Sequence, residues 1–326
     1  MRVVITDCNF PSVEIERAEL AAIGARVDLY QCQTEDDVLT CAGDADALIV
    51  QYAPITRRVL EGLPRLRVVS RYGIGVDNID VRAATALGVW VANVPGFCVP
   101  EASDHTLALL LACARRLCLL ERTVRAGEWE TVRVAGPTPR LSEQTLGLIG
   151  FGSIGRAVAQ KARVFGLRVL AYSPRTTPEL AAAYGAERAD LERLLRESDY
   201  VSLHCPLTPE TRHLLNAERL ALMKPTAFLI NTARGALVDE AALIAALKSG
   251  RLAGAALDVL EREPPAPDNP LLRLPNVIIT PHAAWYSSRS LETLQRTVAR
   301  NVAAVLRGEP PLHPVNPEVQ SRLRRP

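Results

Sequence analysis

An α/β protein with parallel sheets is the fold class this sequence predicts, and three observations predict it. Short β-branched runs alternate with Ala/Leu/Arg-rich stretches of helical period along almost the whole chain, the pattern of strands joined by crossover helices. The 326 residues exceed what one hydrophobic core organises efficiently, roughly 250–300 residues, so two domains are expected. A glycine fingerprint, Gly150-Phe151-Gly152-Ser153-Ile154-Gly155, divides the strand-like runs into two sets.

In chain order, the first set of candidate strands is residues 2–6, 26–30, 47–51, 67–70 and 89–92, enough for one small domain. A long helix is expected to start near Pro100, where a missing N–H costs nothing, and to run past Leu111 to about Arg116. The second set is residues 145–149, 168–172, 200–204, 227–231, 255–259 and 277–280, a six-stranded nucleotide-binding sheet. Leu291, Leu294, Val298, Val302, Val305 and Leu306 then form a helical stripe through 285–307. It is too long for another crossover and is expected to return to the first domain. From Pro310 the composition, four prolines before Glu318 and then Arg322, Arg324 and Arg325, predicts an extended, solvated end.

Composition narrows the partners. Hydrophobic residues make up 48% and charged residues 23%, enough apolar material for full cores. The net charge of +2 is small and dispersed, so neither nucleic acid nor a membrane surface is expected and small molecules are. The most apolar stretch, 107–114, is far shorter than a membrane span. Seven cysteines without a C-x-x-C pair point to reduced thiols rather than a disulfide framework or zinc site, and no metal is expected. The N-terminus runs straight into a strand without a signal-peptide pattern, and a cytoplasmic location is expected.

The fingerprint follows a strand and opens a helix, the setting that gives it meaning as a dinucleotide site. Gly150 permits the tight turn, Gly152 lets the backbone approach a pyrophosphate, and Gly155 lets the helix pack close to the strand. The helix N-terminus, with Ser153 and Ile154, then faces the phosphates. About 20 residues on, an acidic side chain ordinarily takes the ribose hydroxyls of NAD. Here the sequence reads Ala171-Tyr172-Ser173-Pro174-Arg175. Ser173 does not repel a 2′-phosphate and Arg175 is able to pair with one, so the cofactor is NAD or NADP with a tilt to NADP. Arg175 as a plain solvated loop residue is the competing reading.

Three further groups stand near strand ends, where open α/β sheets bind ligands. Arg234, in Asn231-Thr232-Ala233-Arg234-Gly235, offers a planar permanent cation for a carboxylate or developing oxyanion. His282, in Thr280-Pro281-His282-Ala283-Ala284-Trp285, has little packing reason to stand among small residues and suits a proton donor. A neighbouring carboxylate would raise its affinity for that proton. Glu263 is the candidate, with Glu261 and Asp258 competing for the role. An anion clamp, a carboxylate and a proton donor beside a dinucleotide are what hydride transfer to a 2-oxo acid requires. Of the other histidines, His105 and His204 read as helix and strand-end residues, and His213 and His313 as polar-loop residues.

With these motifs the chain resembles the D-isomer-specific 2-hydroxyacid dehydrogenase family over nearly its whole length. The match includes Arg71-Tyr72-Gly73-Ile74-Gly75-Val76-Asp77-Asn78, the fingerprint, Arg234, Glu263 and His282. The resemblance implies that Arg234 holds substrate and that Glu263 orients and charges the acid/base His282. It also implies a Rossmann nucleotide-binding domain, 100–283, inserted into a flavodoxin-like substrate domain built from 1–99 and 284–326, and a homodimer formed largely through the inserted domain. By the same analogy Arg71, Tyr72, Gly73 and Ile74 contact substrate. Thr106, Cys205, Pro206, Thr211, Thr232, Ala233 and Asp258 join the fingerprint, Ser173 and Arg175 around the cofactor. The run His282-Ala283-Ala284-Trp285-Tyr286-Ser287 is most similar to the C-terminal-binding-protein branch, in which the tryptophan faces the substrate. Trp285 then implies an apolar or thioether side chain on the 2-oxo acid. The expected function is reversible hydride transfer between a nicotinamide cofactor and a 2-oxo acid or D-2-hydroxy acid. The alternative from another class is a dinucleotide-sensing dimeric binding protein resembling the corepressors of that branch.

Overall fold

The computed structural model describes residues 1–323, and the chain divides into two compact units, Met1–Phe97 with the segment from Ser287 onward, and Cys98–Tyr286. The chain passes from one to the other at residues 97/98 and 286/287.

The first unit holds five parallel strands, β1 (Arg2–Ile5), β2 (Arg26–Leu29), β3 (Ala47–Val50), β4 (Val68–Arg71) and β5 (Trp90–Ala92), in the order β2-β1-β3-β4-β5. Every residue of β3 and β5 is buried, as expected of parallel strands covered on both faces. Asp7, just past β1, accepts from the backbone N–H groups of Gln51 (3.1 Å), Tyr52 (2.6 Å) and Ala53 (3.3 Å), so one buried carboxylate shapes the turn after β3.

The long C-terminal helix, Ser288–Leu306, begins at a capping box made by Ser287 and Ser290 and belongs to this unit, packing on the helix Glu14–Ala21 and on β3 and β4. Gln295 reaches Ser12 O at 2.7 Å and Glu16 Oε2 at 3.0 Å. The tail beyond differs from the extended, solvated end that its prolines suggest. Pro314 bridges to Ala92, Val319 is fully buried, and residues Pro317–Arg322 form a 3-10 turn. Asn316 explains the difference: its amide accepts from Val91 N at 2.8 Å and donates to Val89 O at 3.0 Å and Thr85 Oγ1 at 2.9 Å. Side-chain amides that satisfy buried backbone groups hold a segment that composition alone would release, since an unpaired buried polar group costs about 1–3 kcal/mol. Arg324 and Arg325 lie outside the described residues.

The second unit is a seven-stranded parallel sheet: β6 (Thr145–Ile149), β7 (Arg168–Tyr172), β8 (Glu187–Arg188), β9 (Tyr200–Leu203), β10 (Phe228–Asn231), β11 (Gly254–Leu257) and β12 (Val277–Ile279), ordered β12-β11-β10-β9-β6-β7-β8. Six were legible from their apolar runs. The seventh, β8, is two exposed residues paired at the sheet edge, too short and polar to carry a period. Strand order reverses between β6 and β9, which puts the carboxyl ends of these two strands at the topological switch point where such sheets bind ligands. The helix Val99–Ala114 carries a proline in its first turn and buries Ala102, Ser103, Thr106, Leu107, Leu109, Leu110, Cys113 and Ala114. Among the described residues no helix is long and apolar enough to cross a membrane.

Candidate active site

The fingerprint loop is built by close approaches that only glycine allows. Gly150 leaves β6 at φ 100°, and a Cβ there would lie 2.4 Å from the carbonyl carbon of His204 and 2.5 Å from Cys205 N, at the end of β9. A Cβ on Gly155 would lie 2.4 Å from Gly150 O, so the helix Ser153–Val164 seats directly on the turn. Gly152, the residue preceding that helix, is different: its Cβ would meet nothing within 4 Å. The two crowded glycines form the turn, and the third leaves the helix N-terminus open. That cradle, with free helix N–H groups around it, fits the pyrophosphate of a dinucleotide.

Around it, Ser173 and Arg175 follow β7, and the Arg175 N–H points to Ser173 Oγ at 3.4 Å while the Arg175 side chain is exposed. No carboxylate occupies residues 171–176. After β9, Thr211 Oγ1 donates to Pro206 O at 2.7 Å and accepts from Thr208 N at 2.7 Å, so its hydroxyl shapes the Cys205–Thr211 turn. Burial pushes the Cys205 thiol up to about 11, which keeps it neutral. After β10, Thr232 shares a hydrogen bond of 2.9 Å with Thr106.

Asp258 lies just past β11 with its side chain fully buried. Its carboxylate accepts from Thr280 Oγ1 at 2.5 Å and from the N–H groups of Ala283 and Ala284 at 2.9 Å each. His105 Nε2 stands 3.0 Å from Thr280 Oγ1 and 3.5 Å from Asp258 Oδ1. Because the threonine hydroxyl donates to the carboxylate, its oxygen is left to accept from His105. Burial alone would push this carboxyl up, but His105, Thr280 and the two amides together hold it below its usual range. The charged carboxylate therefore clamps the turn that carries His282, whose own N–H donates to Asp258 O at 2.8 Å. His282 itself is at φ 53°, a left-handed conformation uncommon for a side chain of this size.

The histidine and its carboxylate are in contact: His282 Nδ1 lies 2.7 Å from Glu263 Oε2, with both side chains partly exposed. Glu263 Oε1 accepts from Leu260 N at 3.1 Å, which fixes the carboxylate plane. With Nδ1 engaged, Nε2 is the nitrogen left for chemistry. The competition among three carboxylates resolves by partner. Asp258 serves the 280–284 turn, Glu261 Oε1 lies 2.6 Å from His213 Nε2, and Glu263 takes His282.

Arg234 stands just after β10, where Asn231 braces the loop by donating to Arg234 O at 2.8 Å and accepting from Ala233 N at 3.0 Å. Its guanidinium donates to Ala233 O at 2.8 Å. The arginine loop and the Glu263 loop touch at backbone level, since a Cβ on Gly235 would lie 1.9 Å from the carbonyl carbon of Leu260. His213, at φ 49°, bridges the same two loops: its N–H donates to Ala236 O at 2.8 Å and its ring meets Glu261. Sequence reading placed His213 and His105 in the background. No spacing signal marks them, because their partners are 23 or more residues away and are brought in only by the sheet.

Trp285 packs edge-on against Tyr286, ring centroids 5.5 Å apart. In the first unit, Arg71 ends β4, its guanidinium lying where a Gly73 Cβ would be, and Ile74 is exposed. Tyr72, in the same loop, turns its side chain inward. Its ring is buried against Phe10 and its hydroxyl donates to Glu16 Oε1 at 2.5 Å, so it braces the loop from within. Burial pushes the Glu16 carboxyl up, against the opposing hydrogen bonds of Tyr72 and Gln295.

The chain is similar to several known proteins. A profile of the D-isomer specific 2-hydroxyacid dehydrogenase family, NAD binding domain, matches residues 107–284. The chain is 46% identical over 281 residues to a glyoxylate reductase of Korarchaeum cryptofilum, covering 85% of this chain and 84% of that protein. Among solved structures it is similar to a D-lactate dehydrogenase from Aquifex aeolicus complexed with NAD and lactic acid, with 32% identity and a TM-score of 0.84, covering 94% and 96% of the two chains. It is also similar to an acyclic imino acid reductase in complex with NADPH and D-Arg, with 29% identity and a TM-score of 0.86, covering 97% and 100%.

The glycine geometry predicts that two alanine substitutions separate folding from binding. Gly152→Ala should leave the melting temperature unchanged while weakening dinucleotide binding at least tenfold, about 1.4 kcal/mol, because its Cβ enters only the open cradle. Gly155→Ala should lower the melting temperature as well, because its Cβ meets the Gly150 carbonyl. Calorimetric titration and thermal melts of both variants check this, and equal melting temperatures would contradict it.

Proposed function

The chain belongs to the D-isomer-specific 2-hydroxyacid dehydrogenase family and is an NAD(P)-dependent enzyme of that class, and from this premise we propose that His282, Glu263 and Arg234 carry its reaction on a 2-oxo acid. The observation that carries the reading is the 2.7 Å contact between His282 Nδ1 and Glu263 Oε2. A bound reduced nicotinamide supplies the hydride. His282 Nε2 donates a proton to the carbonyl oxygen as negative charge gathers there. Glu263 holds the ring and stabilises its protonated form. Arg234 offers a permanent cation to the substrate carboxylate or the developing oxyanion. The reverse reaction uses neutral His282 as base. A dinucleotide sensor has no need of a paired histidine and carboxylate, so the pair favours catalysis over a binding-only role.

The finer assignments belong to the same proposal. Arg71 and the backbone of Gly73 and Ile74 serve the substrate carboxylate. Trp285, in a run similar to the C-terminal-binding-protein branch, favours an apolar or thioether side chain, whereas the name of the Korarchaeum relative favours glyoxylate as a second reading. Ser173 and Arg175 favour NADPH, and one similar protein is bound to NADPH and another to NAD. A homodimer through the second unit is supported by the apolar side chains of Leu117, Val124, Trp129 and Val132, all exposed, with Trp129 at 86% and Val132 at 85%. An apolar group of that extent on one segment is characteristic of an interface.

Four experiments test these statements. The purified protein should oxidise NADH or NADPH with at least one of glyoxylate, hydroxypyruvate, phenylpyruvate and 4-methylthio-2-oxobutyrate, and the order of kcat/KM values separates the two substrate readings. His282→Ala should cut kcat by roughly 100-fold or more with cofactor affinity nearly intact; unchanged turnover would remove the acid/base assignment. Ser173→Asp should shift the kcat/KM ratio toward NADH, and an unmoved ratio would mean that Ser173 and Arg175 do not read the ribose. In sedimentation velocity, the wild type should run as a dimer and Trp129→Glu should shift it toward monomer; a wild-type monomer would refute the dimer.

A further inference from the structure

A pair of thiols in the first unit has no part in the chemistry above. Cys32, two residues beyond Tyr30 at the end of the β2 segment, and Cys41, in the last turn of the helix Glu35–Ala42, place their sulfurs 3.3 Å apart. This is closer than the ordinary contact of two sulfur atoms, and no side chain lies between them. Both residues line an open groove of about 590 Å³ together with Arg2, Tyr30, Thr40 and Asp44. Cys32 is buried and Cys41 is partly exposed, its thiol otherwise directed to Val38 O at 3.6 Å. The backbone on both sides is held. Cys32 N donates to Thr6 O at 2.8 Å, Arg2 donates to Cys41 O at 2.9 Å, and Thr34 with Asp37 forms a capping box at the head of the helix between them. The sulfurs are thus kept together by contacts that do not depend on a bond between them.

We propose that Cys32 and Cys41 form a reversible disulfide, a modification site for a small peroxide that enters through this groove. The more exposed Cys41 reacts first: its sulfur takes one oxygen from hydrogen peroxide to become a sulfenic acid, and water leaves. Cys32 sulfur then attacks that sulfur, the S–O bond breaks, the Cys32 proton leaves with the hydroxyl as a second water, and the S–S bond forms. Two thiols lose two electrons and two protons in all, and the peroxide takes them up. Burial and the neighbouring Cys41 push the Cys32 thiol up to about 12, so it is a slow first nucleophile and assigns the initial attack to Cys41. The product is a short covalent loop that joins the end of the β2 segment to the end of the helix. A strong reductant such as a dithiol reverses it.

The two cysteines, and no others, fall in one tryptic peptide, 27–57. The full-length protein is reduced, freed of reductant, treated with hydrogen peroxide and quenched in denaturant with N-ethylmaleimide. Peptide 27–57 should then appear unalkylated and lighter by two hydrogens than the reduced peptide, and dithiothreitol before the quench should restore two maleimide adducts. In Cys41→Ser the same treatment should leave Cys32 singly alkylated. Peptide 27–57 with two adducts after peroxide would overturn the proposal, as would a stable sulfinic acid on Cys41 beside an alkylated Cys32. A disulfide that instead joins either cysteine to another peptide would overturn it too. An unchanged circular dichroism spectrum and melting temperature of Cys41→Ser show that the variant is folded and keep the result independent of the catalytic reading.

Discussion

The buried carboxylate of Asp258 is the interaction on which the arrangement around His282 depends. A charge removed from water is costly unless its lone pairs find donors, and here a threonine hydroxyl and two backbone amides supply them, while His105 donates in turn to the threonine. Those donors come from the end of β12, from the turn after it and from the helix Val99–Ala114. Satisfying one charge therefore fixes three elements at once. The left-handed backbone of His282 sits inside this turn and is maintained by it, which is how a mildly strained residue persists at a site where its orientation matters.

A second constraint is steric. Gly150, Gly155 and Gly235 each occupy a place where one additional carbon would collide with main-chain atoms. The first two pull the fingerprint turn onto the end of β9 and seat the helix on the turn. The third lets the Arg234 loop lie against the backbone of Leu260, three residues from Glu263. Contact between backbones is stiffer than contact between side chains, because main-chain atoms have no rotamers through which to yield. The fingerprint turn and the loops that carry Arg234 and Glu263 are thus positioned by the absence of side chains as much as by their presence.

The electrostatic arrangement has its own economy. His105, His213 and His282 each stand beside a carboxylate, Asp258, Glu261 and Glu263 respectively. Only the last pair joins the two groups to which hydride-transfer chemistry assigns proton donor and partner. The first supports the turn under His282, and the second ties the loop that carries Glu263 to the loop that carries Arg234. Three chemically similar pairs thus do different work, and position in the sheet distinguishes them.

Much of this was readable without coordinates. β-branched runs marked eleven of the twelve strands among the described residues, since a strand buried on both faces must be apolar throughout, and a glycine motif between strand and helix is tied to phosphate geometry. The placement of Arg234 and His282 just past strand ends was legible from the apolar runs that precede them. The two-residue strand β8 was not, because an exposed edge pair has no hydrophobic pattern, and neither was the tail, whose prolines hide the buried amide of Asn316. The choice of Glu263 over Glu261 and Asp258, the inward turn of Tyr72 toward Glu16, and the meeting of Cys32 with Cys41 were decided by tertiary structure alone. The physical reason is common to all of them: local sequence determines which groups exist and which face of an element they occupy, whereas hydrogen bonds and contacts between distant segments form only after packing has brought those segments together.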